Sequence, residues 1–282
     1  MIIRRKDLEF LRKLELGIDL IKKLPDQIAK FEKTKVIDSF GIRFFLPPLI
    51  GGKWYFVLSR ISGVTEDVIN KLEFPVEMGV NISIPDGLLP EITVSYYTQD
   101  PEKEELVLKG QKPAYIETKI LNEYDYPICL PLSQEEIKIV EILLQTPLIS
   151  IKDLATELNL SPATIRAKLS RLQLDKNRKG MLMIVPSINW SKIENFIHLH
   201  IGVETGISQE MVNERIKDLK LASAGWFRGT IYQLEFDLWE PADLTDILEK
   251  LKQIRDIKLV GLLIAKRSIV IDSWLADLMK KF

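Results

Sequence analysis

Cysteine and histidine are nearly missing from this 282-residue chain: Cys129 stands alone, and His198 and His200 are the only histidines. One thiol excludes an internal disulfide and any metal site built on two thiolates. Glycine and proline, at 14 each, are too few for collagen or a low-complexity chain. Charge of one sign is lacking too, since 39 Lys+Arg against 40 Asp+Glu leave a net charge of −1. The whole chain is therefore not a polycation made to coat nucleic acid, and any basic surface must be local. No apolar run approaches the roughly 18 residues of a membrane span. The start, Met1-Ile2-Ile3-Arg4-Arg5-Lys6, leads into charged helical sequence instead of an apolar signal core. A cytoplasmic protein without membrane contact is expected. A glycine-rich phosphate loop, a nucleophile elbow and a paired-carboxylate motif are also missing, so catalytic residues, cofactors and metals are expected to be none.

The densest local signal lies between Ser133 and Leu172. Ser133 with Glu136 and Ser150 with Asp153 have capping-box spacing, and Ser161 precedes Pro162, a residue favoured at the first helical position. Three helices follow in about 40 residues. In the third, Ile165, Leu169 and Leu172 form one apolar stripe, with Thr164, Lys168 and Arg171 along the opposite side. Leu158-Asn159-Leu160-Ser161 is a short turn in which Asn takes the left-handed conformation. The pattern predicts a helix-turn-helix. From Ser161 to Gly180 six basic residues face one acidic residue, a local excess suited to DNA phosphates. Ser161, Thr164, Arg166, Lys168 and Arg171 are the expected DNA contacts, with the helix over 161–172 in the major groove. Gly180 to Pro186 reads as a wing strand with Arg178 and Lys179 at its tip, completing the DNA-binding set.

Beyond Trp190 the pattern changes. Strands are expected at Phe196–Val203, near Ala222–Arg228, at Ile231–Trp239 and at Ile257–Ala265, with helices at Gln209–Leu219 and Asp243–Ile254. Leu234, Phe236 and Leu238 alternate with Glu235 and Asp237. The order is βαββαβ, the ferredoxin-like arrangement. This combination resembles the Lrp/AsnC family of feast-famine transcriptional regulators, archaeal type, over Ser133 to about Ser273. The segment Ile151-Lys-Asp-Leu-Ala-Thr-Glu-Leu-Asn-Leu-Ser-Pro-Ala-Thr-Ile-Arg166, then Leu169-Ser-Arg-Leu172, then Pro186 and Ile188-Asn-Trp-Ser-Lys192 carry the resemblance. It implies a sequence-specific regulator of double-stranded DNA whose ferredoxin-like modules pair subunits, as a homodimer, and take a small-molecule effector. The family's Gly-aromatic-Asp turn stands here as Arg228-Gly229-Thr230-Ile231-Tyr232, without the acid, so effector residues are not assigned.

The first half reads as a degenerate copy of the second. Gly41–Pro47 matches Gly180–Pro186, and Ile61-Ser-Gly63-Val64 matches His200-Ile-Gly202-Val203, both at an offset of 139. Glu66–Leu72 resembles Gln209–Ile216, and Ile92–Thr98 before Pro101 resembles Tyr232–Leu238 before Pro241 at an offset of 140. Lys6–Leu16 and Ile18–Phe31, the latter broken by Pro25, leave no third, recognition-type helix. The fold class expected is α+β, a winged helix-turn-helix plus two ferredoxin-like modules. The boundaries are 1–36 for a degenerate helical segment, 37–130 for the first module, 131–190 for the winged helix, and 191–282 for the second module with a C-terminal helix.

Two rival functions stay open. Relatives of this family, the sirohaem decarboxylases, use the fold on tetrapyrroles; His198, His200 and Arg228 are the residues such an enzyme could use. His198 and His200 share one strand face, but two imidazoles make an incomplete metal site. A protein-interaction module docking through its winged helix is the other rival. Trp226, Phe227, Trp239 and Trp274 are read as core or inter-module contacts.

Overall fold

The computed structural model describes residues 4–15, 17–19, 21, 26–72, 74, 76–83, 90–126, 131–173, 181–217, 219, 223–225 and 231–281. The first half runs α1 (Arg5–Glu15), α2 (Gln27–Lys33), β1 (Ile37–Phe44), α3 (Pro47–Ile50), β2 (Gly52–Ser62), α4 (Glu66–Ile69), β3 (Val76–Ser83), β4 (Pro90–Thr98), α5 (Pro101–Gly110) and β5 (Tyr115–Tyr126). The second begins with α6 (Gln134–Gln145), α7 (Ile151–Leu158), α8 (Pro162–Leu172) and β6 (Leu182–Asn189). A 3-10 turn at Trp190–Lys192 leads to β7 (Ile197–Thr205), α9 (Gln209–Ile216), β8 (Ser223–Gly225), β9 (Ile231–Leu238), α10 (Pro241–Gln253), β10 (Ile257–Ile271) and α11 (Ser273–Met279).

Local chemistry explains the helical triplet. The Ser133 hydroxyl accepts from the Glu136 amide while the Glu136 carboxylate accepts from the Ser133 amide at 2.8 Å, a reciprocal capping box. Ser150 and Ser161 cap α7 and α8 in turn, accepting from Asp153 N at 3.1 Å and Thr164 N at 3.0 Å. Asn159 ends α7 at φ 53°, as the turn requires. Ile165, Leu169 and Leu172 are buried, so the stripe expected of α8 faces the core.

Eight strands lie in the order β5-β2-β4-β3-β10-β7-β9-β8, and β1 and β6 pair with each other beside β10. In each half the four module strands adopt the same order: fourth, first, third, second. Both ferredoxin-like modules are therefore present, α+β with a winged helix-turn-helix between them. They join edge to edge, β3 antiparallel to β10 from Ser83↔Leu263 to Val76↔Ile271.

Register corrects one spacing. Val57 faces Tyr96 and Ile61 faces Ile92, all buried; Leu199 faces Phe236 and Ile201 faces Leu234 in the other module. The offset from Tyr96 to Phe236 is 140, as read from the sequence, but that from Val57 to Leu199 is 142, not 139. A strand alternates faces with period two, so an odd offset sets core-facing Ile61 against His200, which lies on the opposite face from buried Ile201.

Two further expectations change. Helix over Ile18–Phe31 shortens to α2, while Ile18 instead bridges Ile184, its amide donating to that carbonyl at 2.8 Å. The wing strand β6 spends its length on β1, from Phe44↔Leu182 to Ile37↔Ile188. Pro25, Arg178, Lys179, Trp226, Phe227 and the Arg228–Thr230 turn lie outside the described residues.

Burial falls into two clusters. One runs from Leu8 in α1 through the first module and the winged helix to Met279 in α11; the other fills the side of β7 and β9 facing α9 and α10. Trp274 and Leu275 of α11 are buried in the first cluster, as expected for Trp274.

Candidate functional site

Two sites emerge, one foreseen and one assembled by tertiary structure. On α8, Ser161 is consumed as the cap and its hydroxyl also meets Thr164 Oγ1 at 2.8 Å. Arg166 is exposed. Lys168 and Arg171 turn toward the start of α6. Lys168 Nζ donates to Ser133 Oγ at 3.2 Å and sits 3.4 Å from Glu135 Oε2. Arg171 donates to Glu136 Oε1 at 2.5 Å and to the Pro131 carbonyl at 2.7 Å. Glu136 is buried to 2% side-chain exposure. Burial pushes its carboxyl up, yet the Ser133 amide and the Arg171 guanidinium outweigh this and hold it below the usual range. The basic end of α8 is thus neutralised within the chain, leaving its first turn and Arg166 outward.

The second site forms on the face of β7 and β9 that α9 and α10 leave uncovered. His198 and His200, two apart on β7, stand opposite Asp237 and Glu235 on β9. Their Nε2 atoms are 2.8 Å apart. Trp190, in the turn that leaves β6, lies 4.6 Å from the His198 ring, and its Nε1 donates to Ser268 Oγ at 3.2 Å.

Arg12 comes from the other end of the chain. Leu8, Leu11 and Leu14 bury one face of α1, which packs beside β6 and carries Arg12 over the cluster. Its guanidinium stacks 5.0 Å from the Trp190 ring and donates to Asp237 through Nε at 2.9 Å and Nη2 at 2.5 Å. Nη2 also stands 2.8 Å from His198 Nδ1, and Nη1 bonds Glu15 at 2.7 Å. Glu235 lies 3.8 Å from Nη1. Burial opposes the Arg12 charge, but Glu15 and Asp237 overcome it and raise its pKa. For Asp237, burial raises the carboxyl while His198 and Arg12 bring it below its ordinary value. Desolvation, then the neighbouring His198, keeps His200 neutral far below the usual imidazole range.

The histidines were visible in the sequence, but their partners were not named. Carboxylates stand near them: Glu235 and Asp237 alternate on the third module strand, which pairs with the first in this topology. Arg12 left no signal, being 186 residues from His198. Among the described residues no group of three His, Cys, Asp or Glu side chains is arranged to hold a metal ion.

A family model for winged helix-turn-helix DNA-binding segments matches residues 136–175. Among solved structures, the chain is similar to the siroheme decarboxylase NirDL in complex with an iron-uroporphyrin III analogue, with 15% identity, TM-score 0.54, and 98% of this chain and 97% of that one covered. NirDL alone gives 15%, 0.53 and 98% of each chain. The leucine response regulatory protein LrpA of Mycobacterium tuberculosis is similar over 47% of this chain and 92% of its own, at 14% identity and TM-score 0.34. No curated protein matches the sequence.

These findings overturn the expectation of no catalysis. The missing phosphate loop, nucleophile elbow and carboxylate pair exclude only their own chemistries. The fold shared from end to end is one on which an enzyme is built.

Proposed function

We propose that this chain is an enzyme of the siroheme-decarboxylase kind, acting on the carboxylate side chains of an iron tetrapyrrole at the cluster of Arg12, Trp190, His198 and His200. The supporting observation is that a fold similar to a siroheme decarboxylase over 98% of the chain brings its only two histidines together with a guanidinium and an indole. An aromatic plane suits a flat macrocycle, and N–H donors suit its carboxylates. The guanidinium already serves Asp237 and Glu15, so an incoming carboxylate must exchange with one of them or be met by an imidazole. The test is incubation with iron-uroporphyrin III, following the visible spectrum for binding and product mass for loss of carbon dioxide. Wild type should do both and His200→Ala should lose turnover; an unshifted spectrum at saturating protein would sink the reading.

A second function is supported by the winged helix-turn-helix match. We infer a double-stranded DNA surface at Ser161, Thr164 and Arg166, with Lys168, Arg171, Arg178 and Lys179 as the remaining candidates, in a regulator that uses two chains for a palindromic site. Mobility shifts on genomic fragments over a salt series test it, with sedimentation giving the number of chains bound. Salt-insensitive, sequence-blind binding would make the winged helix a structural element.

We further propose that the two modules arose by duplication. The common strand order and the 140-residue spacing of β4 and β9 support this.

A further inference from the structure

The sheet ends, on the side of the first module, at that module's fourth strand. In the second module the fourth strand, β10, is flanked by β7 and β3; its counterpart β5 has β2 on one side and, among the described residues, no strand on the other. Such an edge, Tyr115–Tyr126 without a proline, is a template for another strand. The helical layer stops short of it as well. Ile120 stands opposite Val57, which is fully buried, yet Ile120 is 54% exposed. Nearby, α5 exposes Leu106 and Val107. Of the eight exposed large hydrophobic residues among those described, four lie between Leu106 and Ile120, so this corner of the molecule is the one that still has apolar surface to cover.

The sequence along this edge complements itself. Ile116-Glu117-Thr118-Lys119-Ile120 lies in the regular part of the β2–β5 ladder, before its shift at Phe56/Val57. Laid antiparallel on a second copy with Thr118 opposite Thr118, it sets Ile116 opposite Ile120 and Glu117 opposite Lys119, each pair occurring twice by symmetry. Neighbouring registers fail. A slip of one residue sets Glu117 against Ile120 or Lys119 against Ile116, and a slip of two sets Lys119 against Lys119 or Glu117 against Glu117. Within one chain Lys119 bonds Glu117 at 2.9 Å and both are partly exposed, so joining replaces two separate ion pairs by an alternating ring of two carboxylates and two ammonium groups. We propose that two copies of this chain join through β5 in the Thr118-centred register, continuing the sheet across a two-fold axis and packing Ile116 and Ile120 of each copy against Ile120 and Ile116 of the other. A second copy is the occupant because both the charges and the apolar residues of the edge match their own sequence reversed. The proposal goes beyond the two functional readings above and stands or falls without them.

Sedimentation of the full chain over a concentration series tests it. Wild type should pass reversibly from one chain mass to two. Glu117→Lys and Lys119→Glu each set like charges opposite one another twice, and each should weaken the dimer about tenfold or more. The double reversal Glu117→Lys/Lys119→Glu restores complementarity and should restore the dimer. An equimolar mixture of the two single variants should form a dimer that neither forms alone, since the all-lysine edge of one meets the all-glutamate edge of the other. A wild type that keeps one chain mass throughout overturns the proposal, as do single variants that dimerise like wild type or a mixture of them that does not associate. Amide exchange on wild type gives a second readout that stands even where a charge variant fails to fold. Protection over 116–120 should rise with protein concentration while that over β7 stays constant; a dimer that leaves 116–120 unchanged is built on another surface and overturns the assignment.

Discussion

Phe56 stacks on Tyr97 at 4.8 Å, directly opposite it across the β2–β4 ladder. The same ladder position in the second module belongs to His198 and Asp237, since each pair adjoins the core pair Val57–Tyr96 or Leu199–Phe236. One module thus carries an aromatic stack where the other carries an ionisable pair. Among the described residues the cluster with Arg12 has no charged counterpart at that ladder position.

Acidification tests how His200 is buried. Its folded pKa is depressed, so below about pH 6.5 the unfolded chain binds a proton that the native state refuses. Stability therefore rises with pH in this window and falls on acidification, by at most about 1.4 kcal/mol per pH unit from this group. Asp237, also lowered, adds a contribution of the same sign that is lost as pH falls through its folded value. Urea midpoints between neutral and mildly acidic pH should slope accordingly, and His200→Gln should flatten them. An unchanged slope in that variant would show that the imidazole titrates normally.

Glu136 ties α6 to α8. Glu136→Ala removes half of the capping box and the partner of Arg171, and should cost about 2 kcal/mol. Arg171→Ala should cost less, about 1 kcal/mol, because Arg171 is half exposed. Equal and negligible losses in chemical denaturation would mean that the contact is idle.

The same ion pairs divide the basic residues of α8 in any DNA assay. Arg166→Ala should reduce the slope of log affinity against log salt by about one. Lys168→Ala should change it by less, since Lys168 is already bonded to Ser133 and Glu135. A full unit lost on Lys168→Ala would show that its bonds open on DNA.

Gly63 and Gly202 look alike in sequence but carry different constraints. Gly63 sits at φ 79°, and a Cβ there would come within 2.6 Å of Ala114 Cβ. Gly63→Ala should cost on the order of 2 kcal/mol. At Gly202 the nearest atom to an added Cβ is Val260 Cγ2 at 3.4 Å, and Ala should be tolerated within about 1 kcal/mol. Melting temperatures of the two variants check the contrast.

Legibility followed the range of the interactions involved. Ser133, Ser150 and Ser161 bond amides three residues away, so spacing alone located α6, α7 and α8. Alternation at Leu234, Phe236 and Leu238 located β9 in the same way. The ladder between β1 and β6 and the contact from Arg12 to Asp237 join residues more than a hundred positions apart, where no local pattern records them. Helical spacing gives the face that Lys168 and Arg171 share, while the neighbour across it, Glu136, is supplied by packing.

The pairing of β3 with β10 has a mechanical consequence. Together with β1 on β6 it stitches the two halves along two ladders. α1 packs beside β6 and carries Arg12 over the cluster, so the first helix of the chain is expected to govern how the proposed ligand reaches the two histidines.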